Sequence, residues 1–247
     1  MIHRFKTIES TNTYAKELAA HGAPHGTVVV AEQQTGGRGR LGRSFFSPAG
    51  TGLYLSMILR PQHSPQELMH LTCAAAVAAC DAVESATDLR PGIKWTNDLV
   101  HQGRKLGGIL TELGFSGEEL DYAIVGIGIN CNQSQTDFPA DLQTMATSLS
   151  TVTGKPVDVS KLEDTLINSL VHTFDKLVDQ RNQIMNRYRT DCVTIGQDIC
   201  VINGKNVRHA KALSVEDDGS LRILLPDGKE ELVSTGEVSI RGMYGYL

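Results

Sequence analysis

Hydrophobic and polar positions change period several times along this chain of 247 residues. Val28-Val29-Val30-Ala31 is a continuous apolar run after Gly26-Thr27, the pattern of an extended strand buried on both faces. Ahead of it, Tyr14 and Leu18 stand four apart in residues 14–20. Ser10, Thr11 and Asn12 precede them as favoured N-cap types, which predicts a short helix. Residues 53–59 read as a further strand. Ser64-Pro65-Gln66-Glu67 has the form of a capping box with proline at N1. The helix it is expected to open carries Leu68, Leu71, Ala75, Ala78 and Ala82, a small-residue face suited to close packing on a sheet. Residues 91–100 and 106–113 read as two strands joined by a polar glycine turn, a hairpin. Residues 121–130 form another strand that ends in polar residues. A second box, Ser160-Lys161-Leu162-Glu163, is expected to open a long helix with Leu162, Leu166, Leu170, Phe174 and Leu177 on one stripe.

After about Thr190 the rhythm becomes short. Apolar runs at 199–201, 212–215, 221–225, 232–233 and 238–240 alternate with Asn203-Gly204, Asp217-Asp218-Gly219 and Asp227-Gly228. Turn signals at that density predict a small all-β unit. The chain therefore divides into an α+β domain over 1–188 and a β domain over 189–247. A unit of the second size buries only about 60% of its unfolded surface, so it is expected to lean on the first. Repeats and low-complexity segments are absent.

Composition narrows the function. A net charge of −5 argues against a general polyanion binder, which is basic overall, and leaves local basic clusters to serve a small anion. The five cysteines (Cys73, Cys80, Cys131, Cys192, Cys200) show no C-x-x-C spacing, so neither a disulfide framework nor a zinc site is expected. His21 and His25 are four apart, but Gly22 and Pro24 break the helix a metal pair would need. With no apolar signal core in residues 1–7 and no run of membrane-spanning length, a cytoplasmic location is expected.

The chemistry concentrates after the valine strand, in Thr35-Gly36-Gly37-Arg38-Gly39-Arg40-Leu41-Gly42-Arg43. Gly37, Gly39 and Gly42 satisfy the dinucleotide spacing G-x-G-x-x-G. That reading needs a helix directly afterwards and an acid about twenty residues on, and the chain offers neither. Glycine leaves the loop flexible, and arginine supplies permanently charged planar forks for phosphate or carboxylate. The composition is that of a flap that closes over an anion.

Taken with Glu9-Ser-Thr-Asn12, Gln34, Lys94-Trp-Thr-Asn-Asp98, Arg104-Lys-Leu-Gly-Gly-Ile109 and Gly126-Ile-Gly-Ile-Asn130, this loop gives the chain a resemblance to biotin protein ligases. The resemblance extends to Ser234-Thr-Gly-Glu-Val238 and covers nearly the whole length. It implies a mixed-sheet catalytic domain with packed helices, class II synthetase-like, followed by a small SH3-like barrel. The catalytic motifs begin at residue 9, so the short type without an N-terminal DNA-binding domain is expected.

The implied reaction has two steps. The carboxylate of biotin attacks the α-phosphate of ATP, with Mg²⁺ as activator, giving biotinyl-5′-AMP. A lysine of a biotin carboxyl carrier protein, or of such a domain in a carboxylase, then takes the biotinyl group. By the family pattern Ser10, Thr11, Asn12, Gln34, Arg38, Gly39, Arg40 and Lys105 face biotin. Arg40, Arg43, Phe45, Asn97, Asp98 and Asn130 correspond to the nucleotide side. Because two anions must meet, fixed positive charge should dominate catalysis, with Lys105 leading and Arg40 beside it. Lys94, next to Trp95, is expected to be a packed, paired lysine. No metal cage can be read, and Asp98 is the candidate for placing Mg²⁺. The resemblance implies no redox cofactor, sequence-specific DNA or membrane, and leaves a homodimer open.

Two positions depart from the family pattern: Thr96 stands where many members have proline, and Phe45 where an indole often covers the adenine. Two rival functions stay open. Lipoyl or octanoyl transfer would use the same fold. A nucleic-acid module would need aromatics interleaved with its basic residues, and the terminal unit has only Tyr244 and Tyr246.

Overall fold

A computed structural model describes residues 1–234 and 238–242. The larger sheet has seven strands in the order β1-β2-β3-β7-β6-β5-β4. These are Ile2–Ile8 (β1), Val28–Gln34 (β2), Gly52–Leu59 (β3), Gly92–Lys94 (β4), Asp98–His101 (β5), Arg104–Ser116 (β6) and Glu119–Asn130 (β7). The β1–β2 pair is parallel and the other neighbours run antiparallel, so the sheet is mixed. Helix α1 (Thr11–Ala20) makes the crossover between the two parallel strands, as such a pair requires.

The valine run shows why the strands are apolar on both faces. Val28 and Val30 join the core under helix α2 (Leu71–Thr87) and helix α4 (Val159–Phe174). Val29, with Ile58 and Ile124, packs on Ala15 and Ala19 of α1. Alternate side chains point to opposite faces of a strand, so three successive valines serve two layers. The short helix α3 (Leu149–Thr153) and helix α5 (Arg181–Asp191) complete the helical set. Among the described residues no helix is long and apolar enough to cross a membrane, and the five cysteines are unbridged.

The second sheet is antiparallel, in the order β11-β10-β9-β8-β12. Its strands are Asp198–Asn203 (β8), Asn206–Val215 (β9), Leu221–Leu224 (β10), Glu230–Val233 (β11) and Ser239–Gly242 (β12). These match the short apolar runs of the sequence. Gly204, Gly219 and Gly228 turn at positive φ, as their Asn-Gly and Asp-Gly settings suggest. The sheet leans on the larger one, as its size requires. Its Val201, Ile223 and Ile240 belong to the same apolar core as Leu53 and Leu166. Trp95 Nε1 donates to the Gly219 carbonyl at 2.9 Å, pinning a turn of the small sheet to the large one.

Local expectations needed correction in several places. The Ser64 box forms, with Ser64 N–H on Glu67 Oε2 at 2.9 Å, but it closes a turn and the helix starts only at Leu71. Bonds three residues apart, Leu68 N–H to Pro65 O and Leu71 N–H to Leu68 O, carry the chain between them. The second box does not form: Asp158 caps α4 through Lys161 N–H, and Glu163 is drawn away to Arg4 on β1. The helix starts ahead of Ser160, which lies inside the first turn and cannot be its cap. Leu177 is buried beyond the end of that helix. Residues 91–100 are two strands that pair with each other, Lys94 opposite Asp98, turning at Trp95-Thr96-Asn97. Strand β1 and helix α5 were not foreshadowed by the hydrophobic pattern. The motif at 235–237 and Tyr244 and Tyr246 lie outside the described residues.

Candidate active site

The site is a hollow left by small residues on the α1 face of the sheet. On β7 the even positions face α1 and run Ile124, Gly126, Gly128, Asn130, while Val125, Ile127 and Ile129 fill the core behind. Across the register lie Gly108, Leu110 and Glu112 of β6 and Tyr54 and Ser56 of β3. A Cβ at Gly126 would stand 1.9 Å from Asn12 Oδ1, and one at Gly128 would stand 2.5 Å from the Phe45 ring. The two glycines thus admit the side chains that line the hollow. The resulting cavity has a volume of about 720 Å³, within the usual range for small-molecule sites.

One end is lined chiefly by uncharged polar side chains, with the Glu112 carboxylate behind Asn12. Ser10 caps α1, accepting from Thr13 N–H, so Thr11 and Asn12 enter on the first helical turn. Gln34, at the end of β2, accepts from Thr11 N–H at 2.9 Å and from its hydroxyl at 3.1 Å, and donates to Ser47 Oγ at 3.0 Å. Asn12 donates to the Leu110 carbonyl and to Glu112, and its Oδ1 lies 2.6 Å from the Ser56 hydroxyl. The groups assigned to biotin are therefore locked to one another first. Their orientation is set before any guest arrives, and a guest must fit the directions left over.

The other end is crowded with charge. Asp98 Oδ1 receives Lys105 Nζ at 2.6 Å, and Lys94 stands opposite it in the register. Burial lowers the Lys94 ammonium to about 8; Asp98 opposes this, while Lys105, Arg241 and Arg43 add to it. Burial also depresses Arg40, again with Asp98 pulling upward. The Arg40 guanidinium donates to Asn97 Oδ1 at 3.0 Å and to the Val238 carbonyl at 3.3 Å, and Arg43 donates to Ser239 Oγ at 3.2 Å. The second sheet thus forms part of the wall, through residues 238–241. Lys105 Nζ sits 5.9 Å from the centre of the Phe45 ring.

Between these ends lies the arginine loop, folded back as a narrow hairpin. Arg38 bridges Ser44, Gly39 N–H reaches the Arg43 carbonyl at 2.7 Å, and Phe45 N–H reaches the Gly37 carbonyl at 2.8 Å. Its tip turns through Leu41 at φ 55° and Gly42 at φ 73°.

The residues singled out from the sequence converge on this cavity, with three adjustments. Of the two glycines after Lys105, Gly107 clears the Gly128 carbonyl and serves the sheet, whereas Gly108 lines the cavity, where a Cβ would meet Lys105 Nζ at 3.2 Å. Asn97 and Asn130 spend their amides on the fold, on the carbonyls of Ile109 and Thr147. Lys94 is not set apart from Lys105, since both line the cavity. Sequence reasoning missed Ser56, Glu112 and the wall of Phe138, Leu142, Met145 and Ala146. The period of two that runs Gly108, Leu110, Glu112 could have pointed to the second of these.

No group of three or more His, Cys, Asp or Glu that could hold a metal occurs among the described residues. Fold and cavity agree with what the chain resembles. A sequence model described as the biotin/lipoate A/B protein ligase family matches residues 4–130, and the chain belongs to that family. Among curated relatives, the bifunctional ligase/repressor BirA of Bacillus spizizenii is 36% identical over 92% of this chain and 70% of its own length. The biotin–[acetyl-CoA-carboxylase] ligase of Mycobacterium tuberculosis is 32% identical over 93% and 85% respectively. The biotin protein ligase of Aquifex aeolicus, solved with biotin and ATP, superposes with a TM-score of 0.83 at 28% identity, covering 98% of both chains.

Proposed function

We propose that this chain is a biotin–[biotin carboxyl carrier protein] ligase, forming biotinyl-5′-AMP from biotin and ATP and passing the biotinyl group to a carrier lysine. The observation that carries this reading is a cavity with two unlike ends. A locked, uncharged polar set suits the ureido ring of biotin. A cationic cluster suits the place where a carboxylate meets a triphosphate.

In the first step a carboxylate oxygen of biotin bonds to the α-phosphorus as pyrophosphate leaves. Lys105, Arg40 and Arg43 offset the negative charge that gathers there, and because the fold already holds them, little reorganisation is needed. Asp98 fixes the Lys105 ammonium, and Phe45 gives the adenine a stacking face. Asp98 is the cavity carboxylate that would help hold Mg²⁺, which when bound would neutralise phosphate charge. In the second step the carrier amine bonds to the acyl carbon, AMP departs, and the amine releases a proton.

Residues 1–188 act in this reading as the catalytic domain and 189–247 as an SH3-like barrel. The five antiparallel strands of the latter, and its carbonyl on Arg40, support that division. Lipoate has no ureido ring to meet the directions that this locked set leaves open, so it forgoes the hydrogen bonds that biotin would make there, each with a net value of about 0.5–1.5 kcal/mol. Pyrophosphate–ATP exchange separates the readings: biotin supports exchange, while lipoate and octanoate do not. Equal exchange with lipoate overturns the substrate and leaves the reaction type standing.

A further inference from the structure

Glu112 has no place in the reaction as described, yet it joins three parts of the site. It stands on β6 one step beyond Leu110, on the face that the cavity shares. Its side chain is 16% exposed, unusually covered for a carboxylate. One oxygen, Oε2, accepts from Asn12 Nδ2 at 2.9 Å. The other, Oε1, receives Lys16 Nζ from α1. The Arg38 guanidinium then spans both oxygens, Nη2 at 3.3 Å from Oε1 and Nη1 at 3.5 Å from Oε2.

Lys16 and Asn12 sit on a helix packed against the sheet, so their bonds to Glu112 hold parts that are already fixed. Arg38 belongs to the glycine-rich hairpin, and its partner is on the sheet below. We propose that Glu112 is a positioning residue that latches the hairpin through Arg38 and thereby sets how long the acyl-adenylate is kept. This rests on the ligase reading above. A fork meeting a carboxylate side on is strongly directional, so the contact favours one closed position of the hairpin. It is also partly solvated and looser than 3.2 Å, so it can open for the carrier lysine.

The latch needs an ionised Glu112. Burial works against the charge, and the hydrogen bonds of Lys16 and Asn12 together with the charges of Lys16 and Arg38 outweigh it. Asn12 gains from the same carboxylate, which directs its Nδ2 and leaves its Oδ1 to Ser56. A single acid thus couples the polar end of the cavity to the hairpin over it.

The test is a double-mutant cycle on release of preformed biotinyl-5′-AMP from the full chain, followed by trapping the free intermediate. Glu112→Gln keeps the shape and can still accept from Asn12, but gives up the charge. It should speed release roughly two- to fivefold, the scale of a partly exposed ion pair. Arg38→Gln should speed it also, and the double variant should be no faster than the faster single, since one interaction is lost once. Lys16→Met removes the helical partner but leaves Asn12 and Arg38 on Glu112, so at mildly alkaline pH, where the carboxylate stays charged, its release should remain clearly slower than that of Glu112→Gln. Raised salt should accelerate release from the parent by a larger factor than from Glu112→Gln, in which only the cationic grip on the adenylate is left to screen. Additive effects of Glu112→Gln and Arg38→Gln, or a Lys16→Met enzyme as leaky as Glu112→Gln, would overturn the latch and leave Glu112 an anchor of α1. Adenylate formation is measured first in each variant: a parent that makes none refutes the ligase reading, whereas one that makes it but shows no coupling refutes only the latch.

Discussion

The two ends of the cavity are built on opposite plans. At the polar end Thr11, Asn12, Gln34 and Ser56 are bonded to one another and to Ser47, Leu110 and Glu112, and the cost of burying them is met inside the fold. At the other end Arg40, Arg43, Lys94, Lys105 and Arg241 share the neighbourhood of Asp98, and burial depresses both Lys94 and Arg40. The first plan gives rigidity and selection of shape. The second stores unfavourable like-charge proximity that an anionic guest relieves. A site that must recognise an uncharged ring and also drive two anions together has reason to keep the plans apart.

The largest expected effect tests the charged end. Lys105→Ala should slow single-turnover formation of biotinyl-5′-AMP by about 10²–10³, the scale for losing one preorganised electrostatic donor. Lys105→Arg should recover part of the rate, because a broad fork does not replace a compact ammonium. Lys94→Ala should act mainly on thermal stability. A folded Lys94→Ala enzyme slower than Lys105→Ala reverses the two roles.

A sharper comparison uses the two glycines that admit the lining side chains. Gly126→Ala pushes a methyl group into Asn12 and should raise KM for biotin about tenfold, the equivalent of misdirecting one hydrogen bond. Gly128→Ala pushes into the Phe45 ring instead, and should weaken ATP while sparing biotin. Steady-state kinetics with each substrate varied reads the split. If both variants raise both constants alike, the ends are not independent.

The smallest effect concerns the stored charge. Lys94 is pushed down from 10.5 to about 8 in the fold, chiefly by burial. Between those values the unfolded chain holds the extra proton, so stability rises with pH through this window. From pH 8 to 9 the gain should be about 1 kcal/mol, seen in urea melts. In Lys94→Met that part of the slope should vanish. A parent whose stability falls over the same interval contradicts the depressed lysine.

Much of this was legible in the chain. The three valines, the cap at Ser10, the Asn-Gly and Asp-Gly turns and the glycine–arginine hairpin are local signals. Each follows from backbone freedom or a period of two that a few neighbouring residues decide. The shrinking even positions of β7, Ile124 to Gly126 to Gly128, even carry the hollow in one strand.

What the chain could not decide alone were contests between near and far partners. Glu163 reads as half of a local capping box, but Asp158 caps α4 earlier and β1 brings Arg4 to Glu163. Residues 91–100 could extend as one strand, but Trp95 turns inward to the Gly219 carbonyl and breaks it in two. Glu112 is an ordinary strand acid until α1 and the hairpin deliver Lys16, Asn12 and Arg38 from about 75 to 100 residues away. The wall formed by Val238 and Ser239 exists only because the second sheet folds back on the first. In each case the winning interaction depends on which side chains are neighbours in space, and only the packed sheet and helices settle that.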